Sequence, residues 1–146
     1  MDAYIIIGEA KQRKSSTIRA LTGVWRKDIF KLATNGNILD TYIQVQSLQE
    51  AGLTPQQFIS EVNNNQCNAV LTSLRTRAVT GGNFPHCIKY IQEFQNAGWN
   101  IKGIAVLGAT SLNYNLPLGI QNPIYIPSSD PTNKIASIIR TQWKWL

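Results

Sequence analysis

Tyr4-Ile5-Ile6-Ile7-Gly8-Glu9-Ala10-Lys11-Gln12-Arg13-Lys14-Ser15 is the stretch on which the reading of the fold turns. It opens with a short run of apolar, mostly β-branched residues. Such a run lacks the polar alternation of a half-exposed strand and fits one covered on both faces, as in a parallel sheet. Gly8 breaks the run, and residues 8–13 form a polar loop. Residues 14–21 then read as a helix, which Gly23 stops.

Working outward, residues 29–34 and 38–45 read as two strands around Asn35-Gly36-Asn37, a strong hairpin signal. Thr54 stands at an N-cap position and Pro55 at the first helical position. That helix runs through Phe58, Ile59 and Val62 and ends in Asn63-Asn64-Asn65. Ala69-Val70-Leu71-Thr72-Ser73-Leu74 is a second buried-strand run, followed by a loop, 75–83, with Arg75, Arg77 and Gly81-Gly82. Residues 85–96 place Ile88, Ile91 and Phe94 at core spacing on a helix, with Gly98 past its end. Residues 104–107 and 124–126 are further strands, separated by a loop with Asn113 and Asn115. Asp130-Pro131 opens a last helix carrying Ile135, Ile138, Ile139 and Trp143. Strands alternate with helices at crossover spacing, so the expected class is α/β. The expected architecture is a three-layer, mainly parallel sheet with helices on both faces and one antiparallel edge. Neither a repeat nor a linker divides the chain, and residues 1–146 read as one domain.

With 43% hydrophobic and 15% charged residues, the composition is that of a globular chain. The apolar run at residues 3–7 is too short for a signal peptide, and no stretch reaches the roughly 18 apolar residues of a membrane helix. The expectation is a soluble, cytoplasmic protein without a membrane partner. Cys67, Cys87 and His86 make neither a disulfide framework nor a zinc ligand set, and both cysteines read as ordinary or core residues. Fourteen Lys and Arg against eight Asp and Glu give a net charge of +6. The excess is partly local: Lys11, Arg13, Lys14 and Arg19, then Arg26 and Lys27, then Arg75 and Arg77. A basic balance favours an anionic partner, whether nucleotide, nucleic acid or an acidic protein surface.

From Gly8 to Ser15 the spacing is that of GxxxxGK[ST] at every position but one, and the segment lies between a strand and a helix as that motif requires. Over these eight residues the chain resembles the P-loop NTPase and nucleotide kinase superfamily. The resemblance implies a P-loop NTPase-like fold and an NTP hydrolase or phosphotransferase using ATP or GTP with Mg²⁺. It implies that the nucleotide contacts Gly8, Glu9, Ala10, Lys11, Gln12, Arg13, Lys14, Ser15 and Ser16. Lys14 would reach the β- and γ-phosphates, and Ser15 would be the metal ligand. Arg13 stands where the family has its second glycine. A side chain there hinders unusual backbone angles and close approach to phosphate, while arginine adds a cationic fork. No acid ends the strand at 69–74 or at 104–107, where the family commonly holds one for the metal. Near a plausible site the acids reduce to Glu9 and Asp40, and Asp40 is the candidate metal organiser or base. Arg75 and Arg77 either stabilise transferring phosphate charge or are solvated loop residues.

Two other readings stay open. In one, a P-loop-like scaffold without catalysis binds nucleic acid or a protein. Trp25-Arg26-Lys27 and Trp143-Lys144-Trp145 interleave rings with bases, as single-strand binding uses them, although a terminal Trp pair also suits packing. In the other, the motif is accidental in a doubly wound domain, which would still bind at the carboxyl ends of its strands.

Overall fold

A computed structural model describes the chain except for residues 10, 35, 79–83 and 113. In chain order the elements are β1 (Asp2–Ile7), α1 (Lys14–Thr22), β2 (Lys27–Thr34), β3 (Asn37–Gln44), α2 (Pro55–Asn64), β4 (Ala69–Leu74), α3 (Cys87–Asn96), β5 (Asn100–Leu107), β6 (Ile124–Ile126) and α4 (Thr132–Trp143). The strands form one six-stranded sheet in the order β2-β3-β4-β1-β5-β6. β2 and β3 are antiparallel, and all other neighbouring pairs are parallel. The α/β class, the mainly parallel sheet and the antiparallel edge agree with the sequence. Asn35 of the hairpin signal read from sequence lies outside the described residues, as do Gly81-Gly82 and Asn113.

β1 is central because its side chains have apolar partners on both sides. Ala3, Ile5 and Ile7 face one layer with Val70, Leu74, Ile104 and Val106. Tyr4 and Ile6 face the other with Leu71, Ala105 and Leu107. The period of two along each strand sorts these residues between the layers. Phe58 and Val62 of α2 and Ile88, Ile91 and Phe94 of α3 close the first layer. Ile18 and Leu21 of α1 and Ile135 and Ile139 of α4 close the second. α1 carries the chain from β1 towards β3, whereas α2 and α3 carry it back. With crossovers of one hand, opposite directions require opposite faces.

Helix ends are held by local chemistry. Thr54 accepts from the Gln57 backbone N–H at 3.2 Å, and the Gln57 side chain accepts from the Thr54 N–H at 2.9 Å. This reciprocal box starts α2, with Pro55 at its first position. At the end of α1, Gly23 adopts φ 76° and its N–H reaches the Arg19 carbonyl. Arg140 of α4 donates to the Ala20 carbonyl at 2.8 Å, satisfying another orphan acceptor. No helix among the described residues is long and apolar enough to cross a membrane.

Near its start β1 pairs with β5 through a register shift, Ala3 opposite Ile101 and Tyr4 opposite Gly103. Gly103 leaves room for Trp143, whose ring stacks obliquely on Tyr4 and on Trp145 at centroid distances of 5.2 Å. A Cβ on Gly103 would lie 2.7 Å from the Trp143 ring carbon Cδ1. Trp145 is buried in the same cluster, and its neighbour Leu146 donates its N–H to the Ala33 carbonyl at 2.9 Å. Gly103→Ala is therefore expected to destabilise the protein by about 1–3 kcal/mol through overpacking, measured by urea unfolding with unchanged slope.

Candidate functional site

In a mainly parallel sheet the loops that leave the strand ends gather along one edge. Here Ile7, Leu74 and Val106 lie side by side in register, so β1, β4 and β5 end together. Gly8 follows directly, its N–H donating to the Leu74 carbonyl at 3.0 Å. Gly8 is closely packed: a Cβ there would sit 3.2 Å from Gln12 Cβ and 3.3 Å from the Leu107 carbonyl oxygen. The chain then curls back, with the Gln12 N–H reaching the Glu9 carbonyl, and enters α1. Ala10 lies outside the described residues.

Two residues of this turn without a glycine's freedom take left-handed angles, Lys11 at φ 64° and Arg13 at φ 66°. At Arg13 the angle is the kind glycine adopts readily, and a branched backbone pays strain for it. The arginine side chain turns away across the sheet edge. Its Nε donates to the Ser128 carbonyl at 2.8 Å, and an η-nitrogen lies 3.4 Å from the Thr132 hydroxyl. Arg13 thus ties the loop to the β6–α4 turn. Its carbonyl accepts the Thr17 N–H and starts α1. No side chain among the described residues caps that start, and no acid stands in the first turn. The first N–H groups of α1 remain available to an anion, with the positive end of the helix dipole behind them.

Lys14 opens α1 and is only 6% exposed. Its ammonium donates to the Glu9 backbone carbonyl at 2.8 Å. Burial lowers its pKa from the usual 10.5, Arg75 lowers it further, and the carboxylates of Glu50 and Glu9 act the other way. Arg75 follows β4 directly and meets Glu9 at 3.5 Å. Its backbone is clamped by Gln49, which accepts from the Arg75 N–H at 3.0 Å and donates to its carbonyl at 2.9 Å.

Beside the loop lies a cleft of about 690 Å³. Ser15 and Arg19 of α1 form one wall, Gln44 and Glu50 another, and Trp25 the rim. Trp25 is 71% exposed, with the Arg19 guanidinium 4.5 Å from its ring centroid. At the far end Glu61 accepts from Lys27 at 2.7 Å and from the Tyr42 hydroxyl. Burial works against the Glu61 charge, but these two hydrogen bonds outweigh it and hold the carboxyl below its ordinary range.

Of the residues singled out from sequence, Gly8, Glu9, Lys14, Ser15 and Arg75 come together at this edge, with Gln12 half-buried beside them and Lys11 and Ser16 at the surface. Asp40 is not brought to them. It precedes Thr41, which pairs with Ala69 at the opposite end of β4, and its carboxylate is bound to Lys31 at 2.9 Å. Cys87 is fully buried and its thiol is pushed up to about 12, chiefly by burial. Sequence reading did not find Glu50 or Gln49. Their signal is position: any residue just past β3 falls on the same edge as the ends of β1 and β4.

No family model, curated protein or solved structure matches this chain.

The Arg13 geometry separates two contributions. Arg13→Ala removes the Ser128 tether and keeps a side-chain-bearing residue at φ 66°, whereas Arg13→Gly removes both tether and strain. The glycine variant is expected to be more stable than the alanine variant by about 1 kcal/mol, read from the difference in their chemical-denaturation midpoints.

Proposed function

We propose that the chain is a P-loop protein that binds the polyphosphate of ATP or GTP with Mg²⁺ over Gly8–Ser16 and works as an NTP hydrolase or phosphotransferase. The observation that carries this reading is Lys14. A buried ammonium is costly without compensating oxygens. Here it belongs to the first residue of α1, whose leading N–H groups have no side-chain cap, and it feels the charge of Arg75. That combination of a cation, a second cation and free helix donors suits a multiply charged oxyanion.

In this reading Lys14 neutralises charge on the outer phosphates, the loop N–H groups orient them, and Arg75 stabilises the phosphoryl group in transfer. Among the described residues no three His, Cys, Asp or Glu side chains gather as a metal cage. Mg²⁺ on a nucleotide needs few protein ligands, since phosphate oxygens and water fill most of its shell. The Ser15 hydroxyl fits that requirement, with Glu50 across the cleft as a further oxygen donor or as the base for an attacking hydroxyl. Bound there, the ion supplies positive charge to the β- and γ-phosphate oxygens. The cleft between Ser15 and Glu50 is the place for a phosphate acceptor or water. A rival reading, a non-catalytic module that binds nucleic acid or protein, keeps Trp25 and Arg26 at the surface. It does not gain from Trp145, which is buried.

Thermal unfolding with ATP, GTP, their diphosphates and sulfate tests the proposal. A nucleotide at a hundredfold excess over its dissociation constant is expected to add about 2.7 kcal/mol of stability. Mg²⁺ alone is expected to add nothing and to strengthen the nucleotide effect, and Lys14→Ala is expected to abolish it. If no phosphate compound shifts the transition, the proposal falls. Salt-dependent binding of single-stranded nucleic acid would then support the rival.

Lys14 also fixes a proton balance. The free protein holds its pKa below 10.5, mainly by burial. A bound anion favours the charged form and raises that pKa. Binding therefore takes up a proton between the lowered value of the free protein and the raised value of the complex, and affinity falls as pH climbs through that window. Calorimetric titrations in buffers of different ionisation enthalpy are expected to show this uptake, and Lys14→Ala is expected to remove it.

A further inference from the structure

One residue, Glu9, contacts both Lys14 and Arg75. The Glu9 carbonyl accepts from Lys14 at 2.8 Å, and the Glu9 carboxylate meets Arg75 at 3.5 Å. The second contact is incomplete. Glu9 Oε1 is buried without a hydrogen-bond partner among the described residues, and so is Arg75 Nε. A guanidinium and a carboxylate can form two parallel bonds, and this pair forms one long one. The backbone of Arg75 is not free to improve the fit, because Gln49, 2% exposed, grips its N–H and its carbonyl. Arg75 is thus fixed at its base and loosely occupied at its head, with a buried Nε–H left unpaired among the described residues.

We propose that Glu9 is an internal competitor for the anion: a carboxylate that holds Arg75 until an anion with more than one negative charge displaces it. The proposal rests on the anion seat argued above and adds a rule for what enters it. A singly charged oxyanion offers Arg75 no more charge than Glu9 does and gains nothing by exchange. A dianion or pyrophosphate can engage Lys14 and Arg75 together and outweigh repulsion from the released carboxylate. Glu9 is half-exposed, so its carboxylate can turn into water when displaced.

The test is calorimetric titration at pH 8 with pyrophosphate, methyl phosphate and dimethyl phosphate, for the wild type, Glu9→Gln, Glu9→Ala, Arg75→Ala and Arg75→Ala/Glu9→Gln. Melting curves without ligand confirm folding of each variant. Both Glu9 variants are expected to bind pyrophosphate about fivefold more tightly, which at 1.4 kcal/mol per tenfold is about 1 kcal/mol. They are expected to gain less for the singly charged dimethyl phosphate, which leaves Glu9 in place in the wild type, than for methyl phosphate, which has to displace it, so that the discrimination between the two widens. In the Arg75→Ala background the Glu9→Gln gain is expected to vanish. Unchanged or weaker binding by the Glu9 variants, or a gain that persists without Arg75, overturns the proposal and leaves the anion seat intact. Absence of pyrophosphate binding by wild type and variants alike overturns the seat and this proposal together.

Discussion

Ile5, Ile6 and Ile7 point alternately into the two layers of the core, and none of the three reaches solvent. A strand with both faces covered cannot slip by one residue, because a slip would exchange the side chains of both layers at once. The register of β1 with β4 and β5 is thereby fixed, and with it the height at which Gly8 leaves the sheet. The position of Lys14 depends on this, since only the loop 8–13 separates it from the strand. Packing energy in the core, of order 1.5–3 kcal/mol for each large apolar side chain buried, thus sets the place of a charged group that packing alone would reject.

The loop itself runs against its local preferences. Lys11 and Arg13 adopt angles that favour glycine, α1 begins without a capping side chain, and an ammonium is nearly buried. A sequence optimised only for stability has cheaper choices at each of these points. Such departures persist where surrounding structure over-determines them, and here the surroundings are identifiable. Arg13 is held by Ser128, Lys14 by the Glu9 carbonyl, and Arg75 by Gln49. Strain, free donors and buried charge coincide in one turn, and that coincidence underlies the functional reading.

Much of the fold was legible in the sequence. The β-branched run at the start, the uninterrupted 69–74 segment and the Thr54-Pro55 helix start each combine a strong local signal with one tertiary environment. The site was legible in the parts that adjoin those elements, Gly8, Lys14, Ser15 and Arg75. Asp40 shows what a local reading lacks. It lies on a strand that pairs with β4, but distance along the strand decides which edge a side chain reaches, and Asp40 lies just before Thr41, where the pairing with the first residue of β4 begins. Glu50, a few residues past the end of the same strand, reaches the cleft instead. Arg13 was legible as a departure and not as a tether, because its partners Ser128 and Thr132 lie more than a hundred residues away in the chain. Gly103 carried no local signal at all, since its reason is the Trp143 ring against it.

Electrostatic balance at the edge follows from the same geometry. Lys14 and Arg75 converge from neighbouring strand ends, and Glu9 and Glu50 approach from the loop and from the turn after β3. Burial strengthens each of these interactions relative to water, the repulsion between the two cations as well as the attraction to the acids. The two acids do not neutralise the site evenly. Glu50 lines the open cleft, whereas Glu9 belongs to the loop and has a buried oxygen with no donor among the described residues. The incomplete contact between Glu9 and Arg75 leaves a buried carboxylate oxygen and a buried Nε–H unpaired among the described residues, on the turn that leads into the uncapped start of α1.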